Sequence, residues 1–265
     1  MRIHNFSEIK PKNGKLSFSD RFNASLKYGF SYPNDLAMQE DFIAIVEKDI
    51  DQRFTLLRNY PLKEVDVHVP LILIGPPGIL VIVLSRKRGL FRAKDDQWLE
   101  MSGRRFKPAK DNLIRRAQLY TRAVQKMLQQ IGFSDAEVDG LLVGMHPGMT
   151  IDTQHPAVHA IQLDALRYWS AKYVQTPPAL SPERIYQIVA ALKDLAERDE
   201  KAEAEKEAAR QKAASRAQPD KLTKTLAPVG KKLNFTTQQW IVLALLLFGT
   251  IAVLFMFMLI ILLSL

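Results

Sequence analysis

The sequence predicts an α/β (α+β) fold, in which a central sheet is flanked by helices and followed by a charged helical tether and one C-terminal transmembrane helix. Three observations predict this class. Two apolar, β-branched runs flank a Gly-Pro-Pro-Gly turn at residues 75–78, segments of helical periodicity surround them, and the end of the chain lacks charge.

The first predicted elements are a helix and a set of strands. Residues 36–54 repeat apolar side chains near a helical period, which predicts an amphipathic helix. Residues 67–74 and 79–84 are apolar on both faces, so we expect two strands in the middle of a covered sheet. Residues 89–92 and 98–102 predict two shorter strands, so that the four consecutive strands would form a meander.

The next segment predicts a long helix over residues 111–131, with Asp111 as its N-terminal cap and Gly132 as its left-handed end. Residues 141–145 and 157–161 then predict two more strands.

Two further helices close the predicted domain. The first covers residues 164–173. The second starts at Ser181-Pro182-Glu183, where a cap precedes a proline and an early acid, and runs to about Arg198.

The C-terminus predicts a membrane anchor. Residues 240–265, from Trp240 to Leu265, carry no charged side chain and exceed the about twenty apolar residues that span a bilayer core. Residues 208–232 contain seven basic residues and one acid, a net charge of +6, which predicts that the preceding domain is cytoplasmic. We therefore expect a tail-anchored, single-pass protein of a bacterial inner or plasma membrane, partnered with lipid through its last helix.

These predictions divide the chain into four segments. An N-terminal extension covers residues 1–34, a cytosolic domain 35–198, a linker 199–239 and the anchor 240–265. Residues 197–217 are rich in Ala, Glu, Lys and Arg and lack Gly and Pro, so this part is expected to be a solvated helix or a partly disordered tether.

A family resemblance rests on residues 71–89, LILIGPPGILVIVLSRKRG, which Trp98 and then a helix opening near Asn112 follow. This combination resembles the nuclease-related domain (NERD) of the restriction-endonuclease-like superfamily, over about residues 35–173. The resemblance implies a restriction-endonuclease-like sheet and magnesium-dependent cleavage of phosphodiesters. In such a site carboxylates hold the metal ion, and a lysine balances the developing charge.

The catalytic pattern of that family is degenerate in this chain. Glu40 matches the helix glutamate and is the only retained candidate. The strand-opening aspartate falls at Pro70 or Leu71, and the Glu-x-Lys pair falls on Val83 and Ser85. We therefore expect a pseudoenzyme without a cofactor. The alternative is an active nuclease that binds magnesium through Glu40 and an unidentified second carboxylate.

Positive charge is concentrated in the same region. Between Ser85 and Arg116, eleven basic residues accompany four acids, a net charge of +7 in a chain whose total is +9. The candidate nucleic-acid or anion-binding residues are Arg86, Lys87, Arg88, Arg104, Arg105, Lys107, Lys110, Arg115 and Arg116.

Three interpretations of these cations remain open. They bind nucleic acid through its phosphates, they bind anionic lipid headgroups or an acidic protein, or they form a solvated surface without a partner. Phe91, Trp98 and Phe106 lie among them, either to stack on bases or to belong to the core.

Other chemistries have little support. His155 and His159 are four residues apart, but Pro156 argues against the helix that would put both on one face, so we expect no metal site. The sequence contains no cysteine, no phosphate-binding glycine loop and no nucleophile elbow. The expected function is thus a membrane-anchored cytosolic binding or scaffolding module, which binds nucleic acid or, alternatively, only a protein or lipid.

Overall fold

The computed structural model describes residues 1–7, 32–62 and 67–217. The predicted anchor 240–265, the predicted linker beyond Ala217 and most of the predicted N-terminal extension lie outside them. Within the described part, no helix is long and apolar enough to cross a bilayer. The chain divides into two compact units, Met1–Ala202 and Glu203–Leu265, and both sheets belong to the first.

The described residues form ten strands and four helices, a mixed α/β fold as predicted. The strands are β1 (Arg2–Asn5), β2 (Thr55–Leu62), β3 (Val67–Gly75), β4 (Gly78–Ser85), β5 (Gly89–Asp95), β6 (Gln97–Ser102), β7 (Arg105–Pro108), β8 (Val138–Gly144), β9 (Met149–Pro156) and β10 (His159–Gln162). The helices are α1 (Tyr32–Val46), α2 (Leu113–Gln130), α3 (Leu163–Val174) and α4 (Pro182–Ala217).

Six strands form the central sheet, in the order β1-β2-β3-β4-β8-β10. The strands β2, β3 and β4 pair antiparallel, whereas β1 joins β2, β8 joins β4 and β10 joins β8 in parallel. The hairpin of β3 and β4 therefore lies in the middle of the sheet, and its apolar residues are buried on both faces, as its sequence predicts.

The predicted continuation of the meander past β4 is wrong, because the chain leaves the central sheet after Ser85. Strands β5, β6 and β7 form an antiparallel meander of their own, which β9 completes by pairing in parallel with β5. Gly89, with φ +130°, donates its N–H to Gly148 O at 3.0 Å and so starts the second sheet beside the chain that leads into β9.

Helices cover both faces of the central sheet. Apolar residues of α2 and α4, among them Val124 and Ile188, pack on one face with Leu57 and Val81. Those of α1 and α3, such as Phe42 and Leu166, pack on the other. A third cluster joins the start of α2 to the four-stranded sheet. The fold is thus a layered sandwich.

Helix α1 ends at Val46, eight residues before the predicted end. Asp51 interrupts the helical path, since its carboxylate accepts the N–H of Arg53 at 2.8 Å in a tight turn. Ile50 and Phe54 continue the apolar period and are buried, but they reach the core from this connection.

The caps of the two long helices differ in how well they were predicted. Asn112, and not Asp111, caps α2, by accepting the N–H of Arg115 at 3.0 Å. Gly132 follows α2 with φ +90°, as predicted. Ser181 caps α4 through Arg184 N at 3.2 Å, and this helix continues without a break to Ala217.

Candidate site at the end of the central sheet

A cavity of about 240 Å³ lies where α1 and α2 approach the central sheet. It is lined by residues from five elements: Asp35, Met38 and Gln39 of α1, Asn59 of β2, His68 and Pro70 of β3, Val83 and Leu84 of β4, and Arg116 and Tyr120 of α2, with Tyr32 at the start of α1.

An irregular step in the β2–β3 ladder borders this cavity. Asn59 lies between the residue pairs Arg58–Leu71 and Tyr60–Val69, which places it opposite Pro70. Pro70 has no N–H to donate, and Asn59 adopts a left-handed φ of +52°, which asparagine tolerates better than most residues. The broken ladder turns the Asn59 side chain toward polar groups of α1.

The structure brings together two positions that the family resemblance assigns to catalytic residues. Pro70 and Val83 both line the cavity. Leu71 and Ser85 are buried instead, and Ser85 Oγ accepts the N–H of Lys87 at 3.3 Å. The two positions that share the cavity therefore present a ring and an isopropyl group where the family would have carboxylates.

Glu40, the retained candidate, is engaged in an ion pair. Its Oε1 accepts from Arg58 Nη1 at 2.7 Å, and the Arg58 side chain is only 7% exposed. A buried guanidinium requires a counter-charge, so Glu40 has a structural task in this fold.

A buried polar network extends from this ion pair to the wall of the cavity. Arg58 Nε donates to Gln39 Oε1 at 3.2 Å, and Gln39 Nε2 donates to Asn59 Oδ1 at 2.8 Å. Asn59 Nδ2 in turn donates to Asn5 Oδ1 at 3.2 Å, which links β1 to the network. The second terminal nitrogen of Arg58, Nη2, is buried without a hydrogen-bond partner among the described residues.

The residues of this cavity do not fit the magnesium ion that the family resemblance implies. Asp35 is the one acid among its lining residues, whereas magnesium sites use carboxylates with phosphate or water oxygens in an octahedral arrangement. Nowhere in the described residues do three or more His, Asp or Glu side chains group in a way that could hold a metal ion.

Three of the predicted anion-binding cations are held by acids. Arg86 pairs with Asp41 of α1. Asp111 serves both Arg116, at 2.6 Å, and Lys87, at 3.8 Å. These cations connect the end of β4 and the start of α2, and their charge is partly balanced.

The other six predicted cations are exposed and make no ion pair among the described residues: Arg88, Arg104, Arg105, Lys107, Lys110 and Arg115. Five of them occupy the β6–β7 turn, strand β7 and the start of α2. We call Arg104, Arg105, Lys107, Lys110 and Arg115 the β7–α2 cations.

The pairing of β6 with β7 shows which way two of these side chains point. Lys107 pairs with Glu100, which is two residues from the buried Trp98, and Arg105 is two residues from Lys107. Residues two apart share a strand face, so Arg105 and Lys107 project on the face where Trp98 contacts α2. Arg105 and Lys107 therefore project from the edge strand β7 on the face where β6 packs against α2, and Lys110 and Arg115 follow in the connection to α2 and in its first turn.

The aromatic residues near these cations belong to the core. Phe91 and Trp98 are 0% and 1% exposed, and their rings stack with centroids 5.0 Å apart. Phe106 is half-buried, and the guanidinium of Arg92 covers its ring at 4.0 Å. None of the three rings is free to stack on a base, so the interpretation as core residues is confirmed for Phe91 and Trp98.

The described histidines do not converge. His155, with φ +48°, lies at the end of β9, and His159 starts β10. Both side chains are exposed.

Sequence reasoning missed the polar network and the part that Asp35, Gln39 and Asn59 play in the cavity. One signal was present. Arg58 and Asn59 interrupt a run of apolar residues in a segment without a turn signature, which suggests buried polar groups that satisfy one another. Comparison with known proteins adds no relative, since no protein-family model, no curated protein and no solved structure matches this chain.

Proposed function

We propose that this chain is a membrane-anchored cytoplasmic module of a bacterial inner membrane, built on a nuclease-related fold that no longer cleaves, and that it binds nucleic acid through the β7–α2 cations. The strongest support is the set of five exposed cations that have no ion pair within the described residues.

The local charge balance favours a polyanionic partner. Arg86, Lys87 and Arg116, only a few residues away, have acidic partners, so this protein does neutralise cations where no partner is needed. The β7–α2 cations repel one another instead. A phosphate backbone relieves that repulsion and releases its own condensed counterions on binding.

The absence of base-stacking rings indicates the kind of recognition. Because Phe91 and Trp98 are core residues and Arg92 covers one face of Phe106, the cations and not these rings would make the contacts, chiefly to phosphates. Phosphate contacts position a protein without reading sequence, so binding should depend strongly on salt and weakly on sequence.

Loss of cleavage is supported by the cavity. The resemblance assigns the catalytic carboxylates to Pro70 or Leu71 and to Val83, none of which can bind a metal ion, and Glu40 is engaged with buried Arg58. The membrane anchor is supported by the uncharged residues 240–265 and by the basic stretch before them.

The test uses the full-length chain in nanodiscs of zwitterionic phosphatidylcholine, titrated with labelled single- and double-stranded DNA and RNA at two salt concentrations with magnesium present. Arg105→Glu/Lys107→Glu is compared with Arg167→Glu/Lys172→Glu, which makes the same charge change at exposed residues of α3. We expect the first variant to bind at least about tenfold more weakly, and its salt slope to fall by about 2, since each lost phosphate contact removes about one unit.

The other outcomes separate the alternatives. Equal weakening in both variants would leave only a general charge effect and would contradict the proposed surface. A gel that shows cleavage, lost in Asp35→Asn or Glu40→Gln, would restore the nuclease. Binding to phosphatidylserine vesicles without any nucleic-acid binding would assign these cations to the membrane.

A further inference from the structure

A second cavity, of about 720 Å³, lies on the opposite side of the β1 edge from the polar network. Its walls come from β1, the α1–β2 connection, the β3–β4 turn and the first turns of α4. Ile185, Val189, Pro76 and Pro182 form an apolar lining, and the ring of Tyr186, 71% exposed, stands at its border.

Cations from two elements face each other across this groove. Arg2 of β1 and Lys193 of α4 both line it, and both lie close enough to His4 of β1 for their charges to act on its imidazole. The one acid of the lining, Asp51, is occupied, because Arg53 binds both of its oxygens, with Nε at 3.1 and 2.9 Å. Arg2 donates only to the carbonyl oxygen of Gln52, at 3.3 Å.

The pKa of His4 is also affected by these positive charges. Burial, and then the positive charges of Lys193 and Arg2, lower the pKa of His4 below 6.5. Three basic groups thus converge on an apolar groove, and its one carboxylate is already held by a fourth.

We propose that this groove binds an alkyl carboxylate of the fatty-acid type, with the carboxylate between Arg2 and Lys193 and the alkyl chain along Ile185 and Val189. The volume lies within the ~300–1,000 Å³ typical of small-molecule sites, and such sites combine a mainly apolar lining with a few polar groups that fix the ligand's orientation. A guanidinium and an ammonium are suitable partners for one carboxylate, and the bound anion removes the repulsion between them.

The groove is independent of the nucleic-acid surface. It shares no lining residue with the cavity beside Pro70 and contains none of the β7–α2 cations. Each proposal can therefore fail without the other.

The experiment measures octanoate binding by isothermal titration calorimetry to the full-length chain in phosphatidylcholine nanodiscs, with empty nanodiscs as the blank. Octan-1-ol, which lacks the charge, and acetate, which lacks the chain, are the ligand controls. We expect saturable octanoate binding that both controls lose, and an affinity about tenfold lower in Lys193→Gln.

A matched pair of variants tests the electrostatics. Ala190 lines the groove and is exposed, so Ala190→Gln and Ala190→Glu add nearly the same volume and differ by one negative charge. Both residues suit a helix, so both variants should fold. We expect Ala190→Glu to bind octanoate at least about tenfold more weakly than Ala190→Gln does.

The pH dependence has a defined sign. A bound carboxylate raises the pKa of His4, so binding takes up a proton and strengthens as the pH falls through the pKa that His4 has in the complex, and His4→Gln removes this gain. The proposal is overturned by heats equal to those of empty nanodiscs, by equal binding of octanoate and octan-1-ol, or by equal affinities of the two Ala190 variants.

Discussion

The buried side chain of Arg58 determines which hydrogen bonds and ion pairs its neighbours make. Its guanidinium lies beneath α1, so the nearest carboxylate, Glu40, and the amide of Gln39 are used to satisfy it. The sequence singles out Glu40 through the family resemblance, but its partner in the fold is eighteen residues away on another element. A pairwise contact of this kind has no local sequence signal.

We expect Glu40→Ala to lower the free energy of unfolding by about 2–3 kcal/mol, because it leaves Arg58 buried without a counter-charge. The value is below the usual cost of breaking a buried pair because the Glu40 side chain is 35% exposed. Urea unfolding of a fragment of residues 1–217, followed by tryptophan fluorescence, measures it.

The double variant Arg58→Met/Glu40→Ala is the control. It removes both charges, so it should recover most of the loss. A Glu40→Ala change below about 0.5 kcal/mol, the range of ordinary surface substitutions, would contradict the structural task and return Glu40 to the list of catalytic candidates.

Helix α2 illustrates what element prediction can and cannot reach. Its amphipathic stripe and the glycine that ends it were read correctly, but the cap was assigned one residue early. Asn112 is the cap because its side chain makes two hydrogen bonds. Its Oδ1 accepts from Arg115 N, and its Nδ2 donates to Asp96 O at 2.8 Å. Asp111 is then available for Arg116 and Lys87.

This double role predicts a graded response. Asn112→Asp keeps the cap acceptor and loses only the donor to Asp96, whereas Asn112→Ala loses both. We expect a loss of about 1 kcal/mol of unfolding free energy for the aspartate and about 2 kcal/mol for the alanine. Asp111→Ala serves as the comparison in the same urea experiment, and a larger loss there than in Asn112→Ala would favour the original assignment of the cap.

The sequence does not predict the strands with mixed polarity. Strand β2 contains Arg58, Asn59 and Pro61, which make it look unlike a strand, and yet it is almost wholly buried. Strand β9 buries only Met149 and Ile151, continues with the polar residues Asp152 to His155, and ends at a proline that resembles a loop. Both are specified by pairing with other strands: β2 lies between its neighbour β3 and the distant β1, and β9 pairs with β5, about sixty residues earlier in the chain.

At the scale of the whole molecule, the sequence predicted an α/β class but not its division into two sheets. Residues on both sides of Ser85–Gly89 have strand character, and only the long-range bond from Gly89 to Gly148 shows that β5 leaves the central sheet. The candidate site depends on the same long-range packing, since Pro70, Val83 and Asp35 meet there from three elements.

One tyrosine is packed under each of the two helical layers. Tyr60 lies in the core beneath α2 and α4, where its hydroxyl donates to Leu192 O at 2.9 Å. Tyr173 packs on the α1–α3 side, stacked on Trp169 at 5.0 Å. Burial raises the pKa of each hydroxyl well above 10.0, and nearby Asp199 and Asp139, respectively, add to the rise.

These shifts predict alkaline unfolding. A tyrosine whose pKa is higher in the folded than in the unfolded chain stabilises the fold fully below pH 10.0, and that contribution is lost as the pH rises beyond it, at up to about 1.4 kcal/mol per pH unit for each residue. Tyr60→Phe and Tyr173→Phe should each flatten the fall in unfolding free energy above pH 10.0. Tyr168→Phe, at a residue that is 74% exposed, should leave the slope unchanged, and a flattening there would show that general charge repulsion dominates.

The meeting of Pro70 and Val83 at one opening also makes this chain a starting point for design. Pro70 has no N–H, so replacing it removes no donor from the β2–β3 ladder, and Val83 already faces the same empty volume. Two substitutions, Pro70→Asp and Val83→Glu, would therefore add two carboxylates beside Asp35, and because Val83 is only 2% exposed, the second would cost stability unless a cation pairs with it.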